Sequence, residues 1–149
     1  REWIASVATR NRRLSDRLTV VTGQSHAVLE ASDAVLVASG TAALEAALYK
    51  KPMVVGYAMP ALSALIMKDK GLIPYVSLPN ILAGRAIVPE FLHYYCTADA
   101  MACSLIEQLK DSRRKTLAEI FTAMHESLLR PTADLASEAI MQTAGAARR

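Results

Sequence analysis

The chain has 149 residues, of which 52% are hydrophobic, enough for one domain with a genuine core and too apolar for a disordered or fibrous protein. Aromatic residues make up only 5% while alanine and leucine abound, which favours an α/β or helical fold over a β-sandwich. A formal charge of +3 suits an anionic ligand or a membrane surface and does not call for nucleic acid, so no nucleic-acid partner is expected.

Residues 1–16 read as a helix with Trp3, Ile4, Val7 and Ala8 on one face and Arg10, Arg12 and Arg13 near its end, where cations complement the helix dipole. The opening carries neither a hydrophobic leader nor an initiator methionine, which gives the expectation of a fragment of a cytosolic protein. Residues 18–22, Leu-Thr-Val-Val-Thr, have strand composition and stop at Gly23. Gln24, Ser25 and His26 then turn the chain into a helix over 27–31. His26 is either a general base or, with no carboxylate placed beside it, a turn histidine.

The stretch 34–45 is the most informative. A run of small and branched apolar residues, 34–38, leads into Ser39, Gly40 and Thr41, and helix formers follow, so it reads as a buried parallel strand, a tight turn and a helix. The first N–H groups of a helix have no partner within it and attract a phosphate. Gly40 lets a ligand approach the backbone, Ser39 and Thr41 offer hydroxyls, and Glu45, one helical turn on, suits sugar hydroxyls. The same residues also describe a helix capped by Ser39 with Glu45 on a solvated face.

Lys50, Lys51 and Pro52 close that helix, and residues 53–57 form the next strand. The segment 61–70 is either a buried helix or an interfacial one with Lys68 and Lys70 near lipid headgroups. Residues 74–79, bounded by prolines, read as a fourth strand. Asn80 and Arg85 would then follow at its carboxyl end and offer an amide and a cation to a diphosphate, or else be a turn asparagine and a surface arginine. In a doubly wound sheet the turns at the strands' carboxyl ends line the ligand crevice, which predicts one shared rim for Gln24, the Ser39 turn and Asn80. The last third is helical. Thr97 caps a helix to Lys110, a second carries Leu117, Ile120, Phe121, Met124 and Leu128 on one stripe, and a third follows Pro131 over 134–144. Cys96 and Cys103 have no metal-ligand spacing, and neither a metal nor a cofactor is expected.

Four stretches taken together resemble a known family: Ala31-Ser32-Asp33-Ala34, Ala38 through Glu45, Pro52-Met53-Val54-Val55-Gly56-Tyr57, and Tyr75-Val76-Ser77-Leu78-Pro79-Asn80-Ile81-Leu82-Ala83-Gly84-Arg85. In order and spacing they are similar to the carboxyl-terminal half of the lipid-A-disaccharide synthases, over residues 17–145. The Ser-Gly-Thr turn is shared more widely among glycosyltransferases, whereas the stretch from Ser77 to Arg85 is close to family-specific.

The resemblance implies an α/β fold, a Rossmann-like parallel sheet with flanking helices, as the carboxyl-terminal half of a two-domain glycosyltransferase ending in a helical tail. It implies a nucleotide-sugar-binding part over 1–96 with its amino-terminal portion missing, then helices over 97–149 packing on it or on the acceptor domain. The implied reaction transfers a diacylglucosaminyl group from UDP-2,3-diacylglucosamine to 2,3-diacylglucosamine 1-phosphate. Its product is the β-1,6 disaccharide precursor of lipid A, formed on the cytoplasmic face of the inner membrane by a peripheral enzyme. Ser39, Gly40 and Thr41 would hold the diphosphate and Glu45 the ribose. Asn80 would act in catalysis, with Arg85, on the donor phosphates or reacting sugar. Gln24 would lie beside the uracil, and the general base would lie outside this chain.

The terminal helices in that family can be exchanged between subunits of a homodimer. Two departures stand out: Ala58 where the family commonly has a basic residue, and His93 where it often has glutamine. The alternatives are another UDP-sugar transferase or epimerase, or a non-catalytic nucleotide-binding module.

Overall fold

A computed structural model describes residues 6–7, 15–38, 40–58 and 74–146. The chain divides into two compact units, Arg1–Ser32 and Asp33–Arg149. The helix expected over 1–16 falls largely outside the described residues, and the segment 61–70 wholly so.

The first unit contains helix α1, Ser25–Ala31, as its composition predicts. The strand expected over 18–22 is not formed. Its apolar side chains are open to solvent, with Val20 52% and Val21 44% exposed, and no described strand pairs with it. Branched residues favour a strand only when a neighbour offers its ladder and a face to pack on, and here neither is present among the described residues.

The second unit is built on a parallel sheet in the order β1-β2-β3. Strand β1, Val35–Val37, and strand β2, Met53–Tyr57, lie where their apolar runs place them. Strand β3, Glu90–Leu92, is too short to carry a recognisable period and was not anticipated. The register sets Val35 against Met53 and Val37 against Val55, then Val55 against Glu90 and Tyr57 against Leu92. The central strand is the driest: Met53, Val54 and Val55 are fully buried.

Helix α2, Thr41–Leu48, follows β1 and buries Ala43, Ala46 and Ala47, whose small side chains let it lie close to its neighbours. Its exit is tied down by Lys50, which adopts a left-handed φ of 57°. Lys50 Nζ donates to the Leu48 carbonyl at 2.8 Å and lies 2.7 Å from Nδ1 of His125. An ammonium can only donate, so His125 accepts on Nδ1 and carries its proton on Nε2.

Helix α3, Leu78–Ala83, stands where a fourth strand was expected over 74–79. Ser77 takes the N-cap position and Pro79 lies in the first turn, where its missing N–H costs nothing, so the prolines that suggested a strand boundary in fact open a helix. Gly84, at φ 64°, ends it. A short 3-10 helix, His93–Tyr95, leaves β3.

Three further helices complete the unit: α4, Ala98–Gln108; α5, Asp111–Leu128; and α6, Thr132–Ala146. Thr97 caps α4 as its sequence predicts, accepting from the Ala100 amide at 3.3 Å. Helix α4 packs on β2, and Gly56 makes room for it: a Cβ there would come within 2.7 Å of Met101 Sδ. Helix α5 lies against α2 and buries Leu117, Phe121 and Met124, one stripe at helical spacing.

Phe121 is fully buried, so Phe121→Ala leaves a cavity that the surrounding helices cannot fill. It is expected to lower the unfolding free energy by about 3–5 kcal/mol, read from urea titration followed by circular dichroism.

Candidate functional site

All three strands run the same way, so their carboxyl ends lie on one edge of the sheet. At that edge β1 hands over to α2 through Gly40, which has φ 113° and ψ −154°. That combination is open essentially to glycine alone. Among the described residues nothing lies within 4 Å of where a Cβ would stand, and the backbone conformation by itself demands the glycine. Gly40 occupies the N-cap of α2, and no side chain caps the helix there. Thr41 is exposed in the first turn, which carries no acidic residue to repel an anion. Glu45 is half-buried one turn further along. Ser39 lies outside the described residues.

The arrangement is therefore a helix N-terminus, with Thr41 exposed, at a parallel sheet's carboxyl edge. Chemically it is suited to hold a phosphate. Gln24 belongs to the first unit, exposed at the N-cap of α1.

Asn80 has a different setting from the one its sequence suggests. It is 1% exposed on α3, and both halves of its amide are engaged. Its Oδ1 accepts from the Ile87 and Val88 amides at 2.8 and 2.9 Å. Its Nδ2 donates to the Val88 carbonyl at 2.9 Å and to Glu90 Oε1 at 2.8 Å. No donor is left for a phosphate in this conformation.

Glu90 is the centre of the same network and was missed by sequence reasoning. Its Oε1 also accepts from the Ser77 amide at 2.9 Å and the Ser77 hydroxyl at 2.6 Å, and its Oε2 accepts from the Val76 amide at 3.0 Å. Arg113 closes the network from α5, donating through Nη2 to the Ile87 carbonyl at 2.7 Å and through Nε to Gln108 at 3.2 Å. The available hint was a lone acid inside an otherwise uncharged run, 86–92.

Arg85 is exposed on the connection from α3 into β3. That connection enters β3 at its amino end, where the Pro89 carbonyl accepts from Val55 N at 2.9 Å. Gly40 and Thr41 stand at the opposite edge of the sheet. The shared rim expected for Asn80 and the Ser39 turn rested on a strand over 74–79. With a helix there, the topology places the Arg85 connection elsewhere.

Among the described residues no three His, Cys, Asp or Glu side chains converge to hold a metal ion. No described helix is long and apolar enough to cross a membrane.

A parallel sheet with flanking helices, opening through a glycine turn onto a helix, defines an α/β protein of the Rossmann-like class. Within that class the chain belongs to the lipid-A-disaccharide synthetase family, whose profile matches residues 2–144. It is 54% identical over 126 residues to the lipid-A-disaccharide synthase of Cupriavidus pinatubonensis, covering 84% of this chain and 31% of that protein. To the synthase of Burkholderia lata it is 52% identical over 126 residues, covering 84% and 32%. To that of Paraburkholderia xenovorans it is 52% identical over 124 residues, covering 83% and 32%. The chain thus spans about a third of the length of these relatives.

Asn80→Ala would strand two amides and a carbonyl and take one donor from Glu90, and is expected to cost about 2–4 kcal/mol of stability, measured by denaturant titration. Asn80→Asp is expected to be no milder, because it turns an acceptor toward the Val88 carbonyl and Glu90. Unchanged stability in both variants would show that Asn80 does not hold this connection together. Gly40→Ala is expected to cost about 1–3 kcal/mol through backbone strain alone.

Proposed function

We propose that this chain is the UDP-sugar-binding part of a hexosyltransferase of lipid A biosynthesis. The donor in this reading is UDP-2,3-diacylglucosamine, the acceptor 2,3-diacylglucosamine 1-phosphate, and the product a β-1,6-linked disaccharide. The observation that carries it is the glycine turn at the carboxyl end of β1, with the uncapped amino end of α2 behind it. Family membership and the names of the relatives support it.

In the transfer the bond between the donor's anomeric carbon and the diphosphate oxygen breaks, and its electron pair leaves with UDP. The acceptor's 6-hydroxyl oxygen bonds the anomeric carbon and gives its proton to a base. That base is assigned to a part of the whole enzyme outside this chain. Positive charge builds on the sugar and negative charge on the departing diphosphate, so amides aimed at the diphosphate favour the transition state over the ground state. Removing one such preorganised donor typically costs about 3 kcal/mol.

Within this reading Ser39, Gly40 and Thr41 bind the diphosphate and Glu45 the ribose hydroxyls. Asn80 becomes a positioning residue, since its amide is consumed by Ile87, Val88 and Glu90. Both substrates are acylated and the nucleotide is water-soluble, so the reaction would take place at the cytoplasmic face of the inner membrane. Helix α6 exposes Ile140 and Met141, which fits packing on another part of the whole enzyme or exchange with a second subunit.

The test is the transfer assay on the native full-length chain with both acylated substrates. Thr41→Val is expected to lower kcat about tenfold and to weaken UDP binding by a similar factor, with the melting temperature unchanged. Glu45→Gln is expected to weaken UDP while leaving inorganic pyrophosphate unaffected. Wild-type protein that binds neither UDP nor the donor would overturn the reading in favour of a module with another ligand.

A further inference from the structure

The carboxyl edge of the sheet carries a second unusual residue. β3 ends at Leu92, and His93 turns the chain into the 3-10 helix with φ 52°. This is a left-handed conformation that few residues other than glycine adopt, though histidine does so more readily than most. Nδ1 of the same residue is buried and has no hydrogen-bond partner among the described residues. Backbone strain and an unpaired buried nitrogen therefore coincide on one side chain, and both disfavour the fold as it stands. Packing does not account for them: the ring is only half-buried, and its described aromatic neighbour, Tyr94, is tilted at 54° with the centroids 6.3 Å apart.

The position is informative. Tyr57 pairs with Leu92, so His93 follows at the level of Ala58, beyond the last rung of the sheet. Gly40 leaves β1 at the same edge, two strands away, a lateral distance of roughly 10 Å. A diphosphate seated on the Gly40 turn and the hexose attached to it cover such a span. Rotation of the imidazole about its Cβ–Cγ bond exchanges Nδ1 with Cδ2 without displacing the ring, so the nitrogen can occupy either position. A hydroxyl both donates and accepts, and can satisfy that nitrogen in either neutral tautomer.

We propose that His93 is a specificity-determining contact for the hexose of the bound nucleotide sugar, its Nδ1 pairing with a sugar hydroxyl at the carboxyl end of β3. This rests on the UDP-sugar reading above and adds to it the residue that distinguishes the glycosylated nucleotide from the bare one.

The experiment compares calorimetric titrations of the native full-length chain with UDP and with UDP-2,3-diacylglucosamine, for wild type, His93→Ala and His93→Gly. The expected result is a donor affinity lowered roughly fivefold to tenfold in both variants, the loss of one hydrogen bond, with UDP affinity changed less than twofold. Retained UDP affinity also certifies the fold. His93→Gly, which relieves the left-handed backbone, is expected to melt at or above the wild-type temperature while still losing the donor. Unchanged affinity for both ligands, or equal losses for both, overturns the role of His93 and leaves the nucleotide site standing. Failure of wild type to bind UDP removes the site itself, and this contact with it.

Discussion

Two parallel ladders on one central strand hold the second unit together. β2 pairs with β1 through Val35–Met53 to Val37–Val55 and with β3 through Val55–Glu90 to Tyr57–Leu92. Its first three residues are wholly withdrawn from water, and Met101 of α4 lies against its fourth, Gly56. Because both ladders run the same way, the exits of β1 and β3 are brought to one edge, which neither segment could do alone. The ligand edge is thus a consequence of strand direction.

The unit also contains a polar device of some cost. Glu90 sits at the start of β3 and gathers the Val76 and Ser77 amides, the Ser77 hydroxyl and the Asn80 amide onto one carboxylate. Asn80 in turn secures Ile87 and Val88, and Arg113 fastens the same connection from α5. Buried polar groups are tolerable when each is paired, and leaving one unpaired typically costs about 1–3 kcal/mol. The result is a connection into β3 whose path is dictated by side chains, since it lacks a regular ladder of its own. Asn80 and Glu90 serve one another, and a role for either in the reaction would be exerted through the backbone they hold.

Two residues at the carboxyl edge have positive φ, Gly40 at 113° and His93 at 52°, as Lys50 and Gly84 do at helix ends elsewhere in the unit. Strain of this kind persists only where surrounding structure enforces it, and it gathers at sites with a task beyond folding. At Gly40 the unusual backbone leads from β1 into α2. At His93 it turns the chain from the end of β3 into the 3-10 helix.

Periodicity and punctuation in the sequence were enough to determine β1, β2, α1, α2 and the three terminal helices, together with the glycine turn. Each of these depends on neighbours in the chain: apolar runs, capping residues, a proline after lysines. The failures share one cause. A strand over 18–22 needed a partner to pair with, and residues 74–79 carried prolines that serve a helix start as well as a strand boundary. The three residues of β3 were too few to show a pattern. Asn80 looked like a ligand for phosphate because the groups that consume its amide, at 87, 88 and 90, are up to ten residues further along. Local chemistry therefore settled which segments could form. Only the tertiary structure decided which polar side chains remain for a ligand, because hydrogen-bond partners are allotted by proximity in space.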